Sequence, residues 1–435
     1  MKIGSSSVGQ LPLQRGGQKI NCRDLIYRNV LVIKMKSVAH LDLDTFFVSC
    51  ERLIDNRLNN RPILIGGTSD RGVVASCSYE ARQFGIHSAM PMRMAKQLCP
   101  EAIVLRGNSG LYSKYSKLVT DVIKDEVPLY EKTSIDEFYL DLTGMDRFFG
   151  CQKLASELRQ KIIRETGLPI SFGLSLNKTV SKIATGEAKP NNEINVIAGT
   201  EKPFLAPLSV KKIPMVGDKT YRSLCDLGVK QIKTIQEMPI ELMENVFGKH
   251  GIVIWKKANG IDNSPVIQYH ERKSVSTERT FNKDTIDVNK LEGIMLAMAE
   301  NLVFQLRRGN KLTSCITVKI RYSDFQTYTL QKMIPYSASD HIILPLVLEL
   351  YRKLYNRRVL VRLIGVRFSH LVEGAHQISL FEDPKVLDLY RAMDHIRDRF
   401  GDRAIMRAKG MNAKSISRFN PFNGEPPPLL ANRRR

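Results

Sequence analysis

Two acidic pairs stand out in this 435-residue chain. Asp42 and Asp44 lie two apart in Val38-Ala-His-Leu-Asp-Leu-Asp44, and Asp136 and Glu137 are neighbours in Ser134-Ile-Asp-Glu-Phe-Tyr-Leu-Asp141. Both runs are otherwise apolar and β-prone, and a carboxylate in such a run is costly unless a cation or a hydrogen-bond donor meets it. Carboxylates gathered at one point can hold two divalent ions about 3.5–4 Å apart, the arrangement that serves phosphoryl transfer. Hard oxygen donors with retained waters suit Mg2+. Taken alone, an Asp-x-Asp on a strand is more often a cap or salt-bridge partner than a ligand, so the chemistry requires the two pairs to meet.

What must position them can be read from periodicity. Side chains alternate along a strand, so Asp42 and Asp44 share one face of the strand starting at Lys36, whereas Asp136 and Glu137 diverge unless the chain bends. The alternation over 130–143 reads as a hairpin, which puts that bend at its tip. Phe46 begins a helix, and strands are expected at 62–67 and 72–78, followed by a short helix from Tyr79 ended by Gly85. Ser109 is the expected cap of a helix whose apolar residues Leu111, Tyr115, Leu118, Val119 and Val122 recur at helical spacing. A helix at 151–166, a strand at 170–176 and a helix capped by Asn177 complete a split β-α-β sheet.

From 206 to 262, short helices punctuated by Ile213-Pro-Met-Val-Gly217 and Leu227-Gly-Val229 resemble a helix-hairpin-helix. There, near Gly217, a loop and helix N-terminus can offer N–H groups to a phosphate. A simple glycine turn between packing helices accounts for the same pattern. Past a polar linker at 263–273, strand, helix, two strands, helix and strand over 274–369 form a complete β-α-β-β-α-β unit. Its second strand places Ile316, Val318, Ile320 and Tyr322 on one face and Thr317, Lys319 and Arg321 on the other. With Arg307, Arg308 and Lys311 nearby, this basic face suits sequence-independent contact with a phosphate backbone. Val386, Leu389, Tyr390, Met393 and Phe400 predict a further amphipathic helix stopped by Gly401, and 419–435, with four prolines and three terminal arginines, reads as disordered.

Lys and Arg number 66 against 44 Asp and Glu, a net charge of +22 that implies a polyanionic partner. Nucleic acid fits better than membrane, because no basic amphipathic anchor and no long apolar run is present. The seven cysteines contain no C-x-x-C pair, which argues against a disulfide framework or structural zinc and for the reducing cytoplasm. At this length about three domains are expected. Residues 1–34 lack a signal-peptide core, and Met35, directly before the first strand, is a candidate start.

Four strings, in order and at matching separations, carry a family resemblance: Ala39-His-Leu-Asp-Leu-Asp-Thr-Phe-Phe47, Ser76-Cys-Ser-Tyr-Glu-Ala-Arg82 with Phe84-Gly-Ile86, Ser134-Ile-Asp-Glu-Phe-Tyr-Leu-Asp141 and Ile183-Ala-Thr-Gly-Glu-Ala-Lys-Pro190. They resemble the Y-family translesion polymerases over about 36–381. The DNA polymerase IV (DinB) branch is nearest and UmuC the nearest rival. The resemblance implies an α+β multidomain right hand: a 1–35 leader, a ferredoxin-like palm at 36–45 and 108–200, small fingers at 46–107, a helical thumb at 201–262 and a little finger at 274–372. It implies template-directed DNA synthesis of low fidelity and low processivity, with Asp42, Asp136 and Glu137 as metal carboxylates, Leu43 adding its carbonyl, and two Mg2+ ions that Mn2+ can replace.

By the same resemblance Phe47 is a steric gate beneath the incoming sugar, while neighbouring Phe46 is the better core aromatic. Ser76, Tyr79, Arg82 and Lys189 would bind the triphosphate, and Asp44 becomes structural. Gln377-Ile-Ser-Leu-Phe381 resembles the bacterial sliding-clamp pentapeptide, with Gln377, Leu380 and Phe381 entering the clamp and 373–385 as the recruiting segment. The expected partners are primer-template DNA, dNTP and the clamp, with the protein a cytoplasmic, nucleoid-associated monomer. The 386–435 extension departs from the many relatives that stop near the pentapeptide. A non-catalytic binding module, another two-metal enzyme such as a nuclease, and a one-base nucleotidyl transferase are the competing readings. The intact carboxylate set disfavours the first, and the triphosphate-directed Tyr79, Arg82 and Lys189 disfavour the second.

Overall fold

The structure, a computed structural model, describes residues 36–69, 71–145, 150–374, 384–401 and 404–411. The expected leader, the pentapeptide residues Gln377, Leu380 and Phe381, and residues 412–435 lie outside these. Among the described residues the first element is strand β1 (Val38–Leu43), followed by helix α1 (Phe46–Ile54) and a small three-stranded sheet, β2 (Ile63–Gly66), β3 (Val74–Cys77) and β4 (Ile103–Leu105), in the order β3-β2-β4. Leu64, Val74, Cys77, Met92 and Ala95 form its own apolar core. β4 and the Met92–Leu98 helix are absent from the sequence-based expectation: β4 is three residues long, too short to show a period.

Helix α2 (Ser109–Glu126) returns to the first sheet, followed by β5 (Tyr130–Lys132), β6 (Glu137–Asp141), α3 (Cys151–Thr166), β7 (Ile170–Ser175), α4 (Lys178–Ala188) and β8 (Glu193–Asn195). The sheet order is β5-β6-β1-β7-β8. Asn108, not Ser109, caps α2 by accepting from the Leu111 N–H. The buried stripe is also rotated from the expected one: Tyr112, Val119, Val122 and Ile123 face the core and Leu118 faces out. The strand β1 is buried on both faces. Ala39, Leu41 and Leu43 pack against α2 and α3, while His40 and Asp42 lie on the other face, covered by α4. Gly173 on β7 makes this cover possible, since a Cβ there would stand 2.3 Å from the Ser181 carbonyl oxygen and 2.5 Å from the Thr185 nitrogen.

The outer side of α4 is covered in turn. Val180, Ile183 and Ala184 share a core with Leu224, Ile235 and Ile254 of the short helices spanning 201–258. Gly217 sits at the N-cap of the Asp218–Asp226 helix. The following linker is fastened to the first sheet at Glu131, which accepts from the Ile267 N–H at 2.7 Å and also pairs with Lys178 and His270.

The last unit is a four-stranded sheet, β11-β10-β12-β9, built from β9 (Ser274–Thr285), β10 (Lys311–Tyr322), β11 (Thr327–Ser337) and β12 (Val361–Glu373). Helices α5 (Val288–Arg308) and α6 (Asp340–Leu354) share a core with Ile316, Val318, Ile320 and Tyr322, leaving Thr317, Lys319 and Arg321 on the opposite face. Across the molecule, Arg71 near the β2–β3 turn pairs with Asp284 and donates to the Phe281 carbonyl at 3.0 Å, so the first small sheet touches β9.

Helix α7 (Pro384–Phe400) and residues 404–411 pack onto α5 and α6. The docking is less an apolar stripe than the sequence suggests, since Leu389 is 56% and Phe400 68% exposed. Tyr390 carries it: the ring is 4% exposed, and its hydroxyl accepts from the His341 N–H at 3.0 Å. Charges complete it, because the buried Glu292 and Glu300 of α5 meet Lys409 and Arg407. Gly293 of α5 faces the carbonyl oxygen of Lys409, which a Cβ would approach to 2.5 Å. Gly293→Ala should therefore expel 404–411 although alanine favours a helix by about 1 kcal/mol over glycine. Hydrogen exchange should rise across 404–411 and stay unchanged in the β10–β12 pairing; unaltered protection of 404–411 would contradict the docking.

Candidate active site

The two acidic pairs do meet. In the antiparallel register of β1 and β6, Asp42 lies directly opposite Glu137, and the Leu43 N–H donates to the Asp136 carbonyl at 3.0 Å. The expected bend between Asp136 and Glu137 is made by Ser134, whose Oγ donates to Asp136 at 2.6 Å and accepts from the Glu137 N–H at 3.0 Å. Ser116 of α2 fastens this tip by donating to the Ile135 carbonyl at 2.5 Å. Adjacent carboxylates thus leave a local turn rather than a regular strand.

Helix α4 answers this negative charge with two lysines. Lys189 lies 2.5 Å from Asp42 and Lys182 lies 2.6 Å from Glu137. His40 locks the helix to β1: its Nδ1 is 2.9 Å from Thr185 Oγ1, and that hydroxyl donates to the His40 carbonyl at 2.8 Å. Burial, with Lys182 and Lys189 adding to it, holds the His40 imidazole well below its ordinary value. Burial pushes the Asp42 carboxyl up, Lys189 pulls it back, and Glu137 and Asp136 push it up again, leaving it at about 7. Asp136 is raised too, by burial first and by Glu137, against the pull of Ser134.

Such a cluster fits hard divalent ions in its chemistry. All its donors are oxygens, and burial, with repulsion between the acids added to it, presses two of the three carboxyls toward the protonated form, which added cationic charge opposes. Among the described residues no three His, Cys, Asp or Glu side chains converge on one point. Here Asp42 is turned onto Lys189 and Glu137 onto Lys182, so ammonium groups supply the positive charge.

Of the remaining expected site residues, Tyr79 reaches the neighbouring Asp44. Phe47 stacks on Tyr112 at 4.3 Å between ring centroids, and Tyr112 is held by its hydroxyl donating to Glu51 at 2.6 Å. Phe46 is buried in the core, and Phe47 is half-buried at its edge. The Tyr79 hydroxyl donates to Asp44 at 3.3 Å, and the Arg82 guanidinium lies 4.9 Å from the Tyr79 ring centre. Ser76 is buried on β3. Lys182 and Tyr112 escaped the sequence reading; the spacing of Lys182 and Lys189 by seven, two turns on one helix face, was the available signal.

On the four-stranded sheet, Lys319 and Arg321 keep the expected face, but Lys319 is paired with Glu278 and Arg321 donates to Thr327 at 2.7 Å. Arg367, opposite Thr317 in the β10–β12 register, adds a cation to that face which the sequence reading passed over. Arg307 departs from expectation. It is held at 2.5 Å from Asp340 and 2.6 Å from Asp394 under the Tyr390 ring, a half-dry ion-pair site that removes it from the basic face. Arg308 remains exposed, 3.6 Å from Asp398, and Lys311 is taken up by Glu271 and Glu373.

Comparison with known proteins places the chain in a family. Residues 41–186 match the impB/mucB/samB family and 272–380 match the C-terminal domain of that family. A DNA polymerase IV of Dehalococcoides mccartyi is 36% identical over 391 residues, 88% of this chain and 100% of that protein. The chain belongs to the Y-family DNA polymerases, in the DNA polymerase IV (DinB) branch. A DNA polymerase IV of Treponema denticola is 35% identical over 76% of this chain and 84% of its own length. Among solved structures, a Y-family DNA polymerase chimera aligns with a TM-score of 0.69 at 25% identity, and DinB from Sulfolobus solfataricus with 0.55 at 26%; each covers 78% of this chain and 100% of its own.

The chain is thus a DNA-directed DNA polymerase of the translesion class, a metal-dependent nucleotidyltransferase with a palm, fingers, thumb and little finger. Its palm depends on the closeness of α4 to β7. Gly173→Ala would drive a Cβ into the α4 backbone and should cost about 2–4 kcal/mol in stability. Chemical denaturation should show that loss, and primer extension should fall with it as Lys182 and Lys189 leave the carboxylates; wild-type values for both would contradict the packing.

Proposed function

We propose that this Y-family polymerase extends a primer by nucleotidyl transfer at Asp42, Asp136 and Glu137, with the Leu43 carbonyl as an added ligand. The observation that carries it is the Asp42–Glu137 opposition at the end of the β1–β6 pairing, with Lys189 and Tyr79 on the same side reaching from palm and fingers. Two Mg2+ ions, replaceable by Mn2+, would supply activation of the primer 3′ hydroxyl and neutralisation of triphosphate charge. The protein's own groups orient the reactants. Ser76, Tyr79, Arg82 and Lys189 donate to phosphate oxygens, where charge develops as the bond forms.

Phe47 acts as the sugar gate. Its stacking on Tyr112 holds the ring against yielding, so a 2′ hydroxyl meets a fixed wall. Lys319, Arg321, Arg308 and the added Arg367 contact the duplex backbone, with the N–H groups beside Gly217 as a second phosphate site; exchange of the Glu278 partner for DNA frees Lys319. Gln377, Leu380 and Phe381 recruit the sliding clamp, a bacterial β clamp, which compensates for weak processivity. The protein works as a cytoplasmic, nucleoid-associated monomer, and among the described residues no helix is long and apolar enough to cross a membrane.

Asp136→Ala should abolish Mg2+-dependent primer extension while leaving primer-template affinity within about threefold. Full activity in that variant would overturn the carboxylate assignment. With Phe47→Ala, ribonucleotide incorporation should rise by roughly two orders of magnitude relative to deoxynucleotide, the effect of removing a clash rather than a contact. Unchanged sugar discrimination in single-nucleotide insertion would count against the gate. Deleting 377–381 should remove stimulation by added clamp and retain basal synthesis, and an undiminished clamp response would eliminate the recruitment reading.

A further inference from the structure

The second acid of the Asp-x-Asp string has its own work. Asp44 follows the last β1 residue, where Thr45 turns the chain at φ 42°, and its side chain is 1% exposed against 18% for Asp42. Its Oδ2 accepts from Ser171 Oγ at 2.8 Å and from the Asn191 backbone N–H at 2.6 Å. Its Oδ1 accepts from the Tyr79 hydroxyl at 3.3 Å and stands 3.7 Å from Lys189 Nζ. The main chain is fixed as well, since the Asp44 N–H donates to the Pro169 carbonyl at 2.9 Å and its own carbonyl accepts from Ser49 at 2.7 Å.

These contacts come from four separate places: β7, the turn after α4, the Tyr79–Arg82 helix of the fingers, and Lys189 itself. A carboxylate with one oxygen filled by two short hydrogen bonds cannot turn, so its other oxygen is a fixed point in space. Both groups held at that point, Tyr79 and Lys189, are the proposed triphosphate ligands, one from each side of the cleft. Both contacts at that oxygen are long, so Asp44 itself holds neither donor tightly, while Lys189 is also held by Asp42 at 2.5 Å. Asp42 has the reverse character, a partly open carboxylate suited to ligation.

We propose that Asp44 is a positioning residue for the triphosphate: it presents Lys189 and Tyr79, across the palm–fingers junction, to the incoming nucleotide and thereby sets nucleotide affinity. This rests on the reading that those two residues bind the triphosphate. It makes Asp44 matter to nucleotide capture and little to the bond-forming step. A purely structural acid would instead alter stability or every kinetic constant together.

The test is single-nucleotide insertion by the full chain on an undamaged primer-template with Mg2+. Asp44→Asn keeps the shape and removes the charge; KM for dNTP should rise roughly tenfold with kcat changed less than about threefold, the signature of lost ground-state positioning. In a Lys189→Ala background the same substitution should add less than it does alone, about two- to threefold, because only the share carried by Tyr79 is left to lose. Ser171→Ala, which frees one bond to Asp44 and reaches no nucleotide, should raise KM by about two- to threefold and decides the matter if Asp44→Asn fails to fold. An Asp44→Asn enzyme with unchanged KM, or one losing kcat alone, overturns the proposal provided Lys189→Ala still raises KM. If Lys189→Ala leaves KM untouched, the triphosphate reading itself fails.

Discussion

Two carboxylates face each other across an antiparallel strand pair, and the rest of the palm is arranged around that repulsion. Asp42 and Glu137 are direct cross-strand partners, with Asp136 one residue away. Like charges so placed weaken a sheet, and burial makes the cost larger. The fold meets it with α4 and its C-cap, where Lys182 reaches Glu137 and Lys189 reaches Asp42. For that helix to lie close enough, β7 must carry Gly173 beneath it, and β1 must hold it through His40 and Thr185. The short helices spanning 201–258 then pack on the outer side of the same helix, so the charge balance of the site and the seating of that helical unit share one element. Two lysines are a flexible counterbalance: each is a point charge on a long stem, able to move to a phosphate when other cations arrive.

The same chain shows how little net charge alone says about a binding face. A surplus of 22 positive charges implies a polyanion, yet several of the cations nearest the expected DNA face are already engaged. Arg307 is locked between Asp340 and Asp394, and Lys311 between Glu271 and Glu373, both as parts of the little finger's own packing. Lys319 is held by Glu278, whose side chain lies against Gly365 of the neighbouring strand, where no Cβ competes for the space. The sheet face itself spreads Lys319, Arg321 and Arg367 among Thr and Ser, with Lys319 paired to Glu278, a pattern suited to a regular backbone rather than to bases. The buried acids of α5 explain the C-terminal extension in the same terms: Glu292 and Glu300 find cations in Lys409 and Arg407, so the extension is tied to the little finger by charge as much as by Tyr390.

Local signals were enough for much of this. Strict alternation over β1, β6 and β10, the cap at Asn177 and the β-α-β-β-α-β order are properties of neighbouring residues, and they give the same elements in the sequence and in the structure. The four ordered motifs identify the family. Short or rotated pieces were less legible: β4 is too brief to show a period, and α2 turns Tyr112 rather than Leu118 inward because the stripe drifts over its 18 residues.

Amino-acid sequence by itself determined which residues carry charge, which runs form strands and helices, and that the chain is a Y-family polymerase, because spacing and residue type are local facts. Only the tertiary structure decided which acids face each other and which cations are free. Asp42 and Asp44 are indistinguishable as letters, and strand alternation alone puts both on one face. The turn at Thr45, with Ser171 and Asn191 arriving from segments about 130–150 residues away, closes Asp44 and leaves Asp42 partly open. Arg307 is likewise one basic residue among many until Asp340 and Asp394, distant in the chain, enclose it. The physical reason is the same in each case: the state of a charged group depends on the partners and burial it meets, and those are supplied by elements far along the chain.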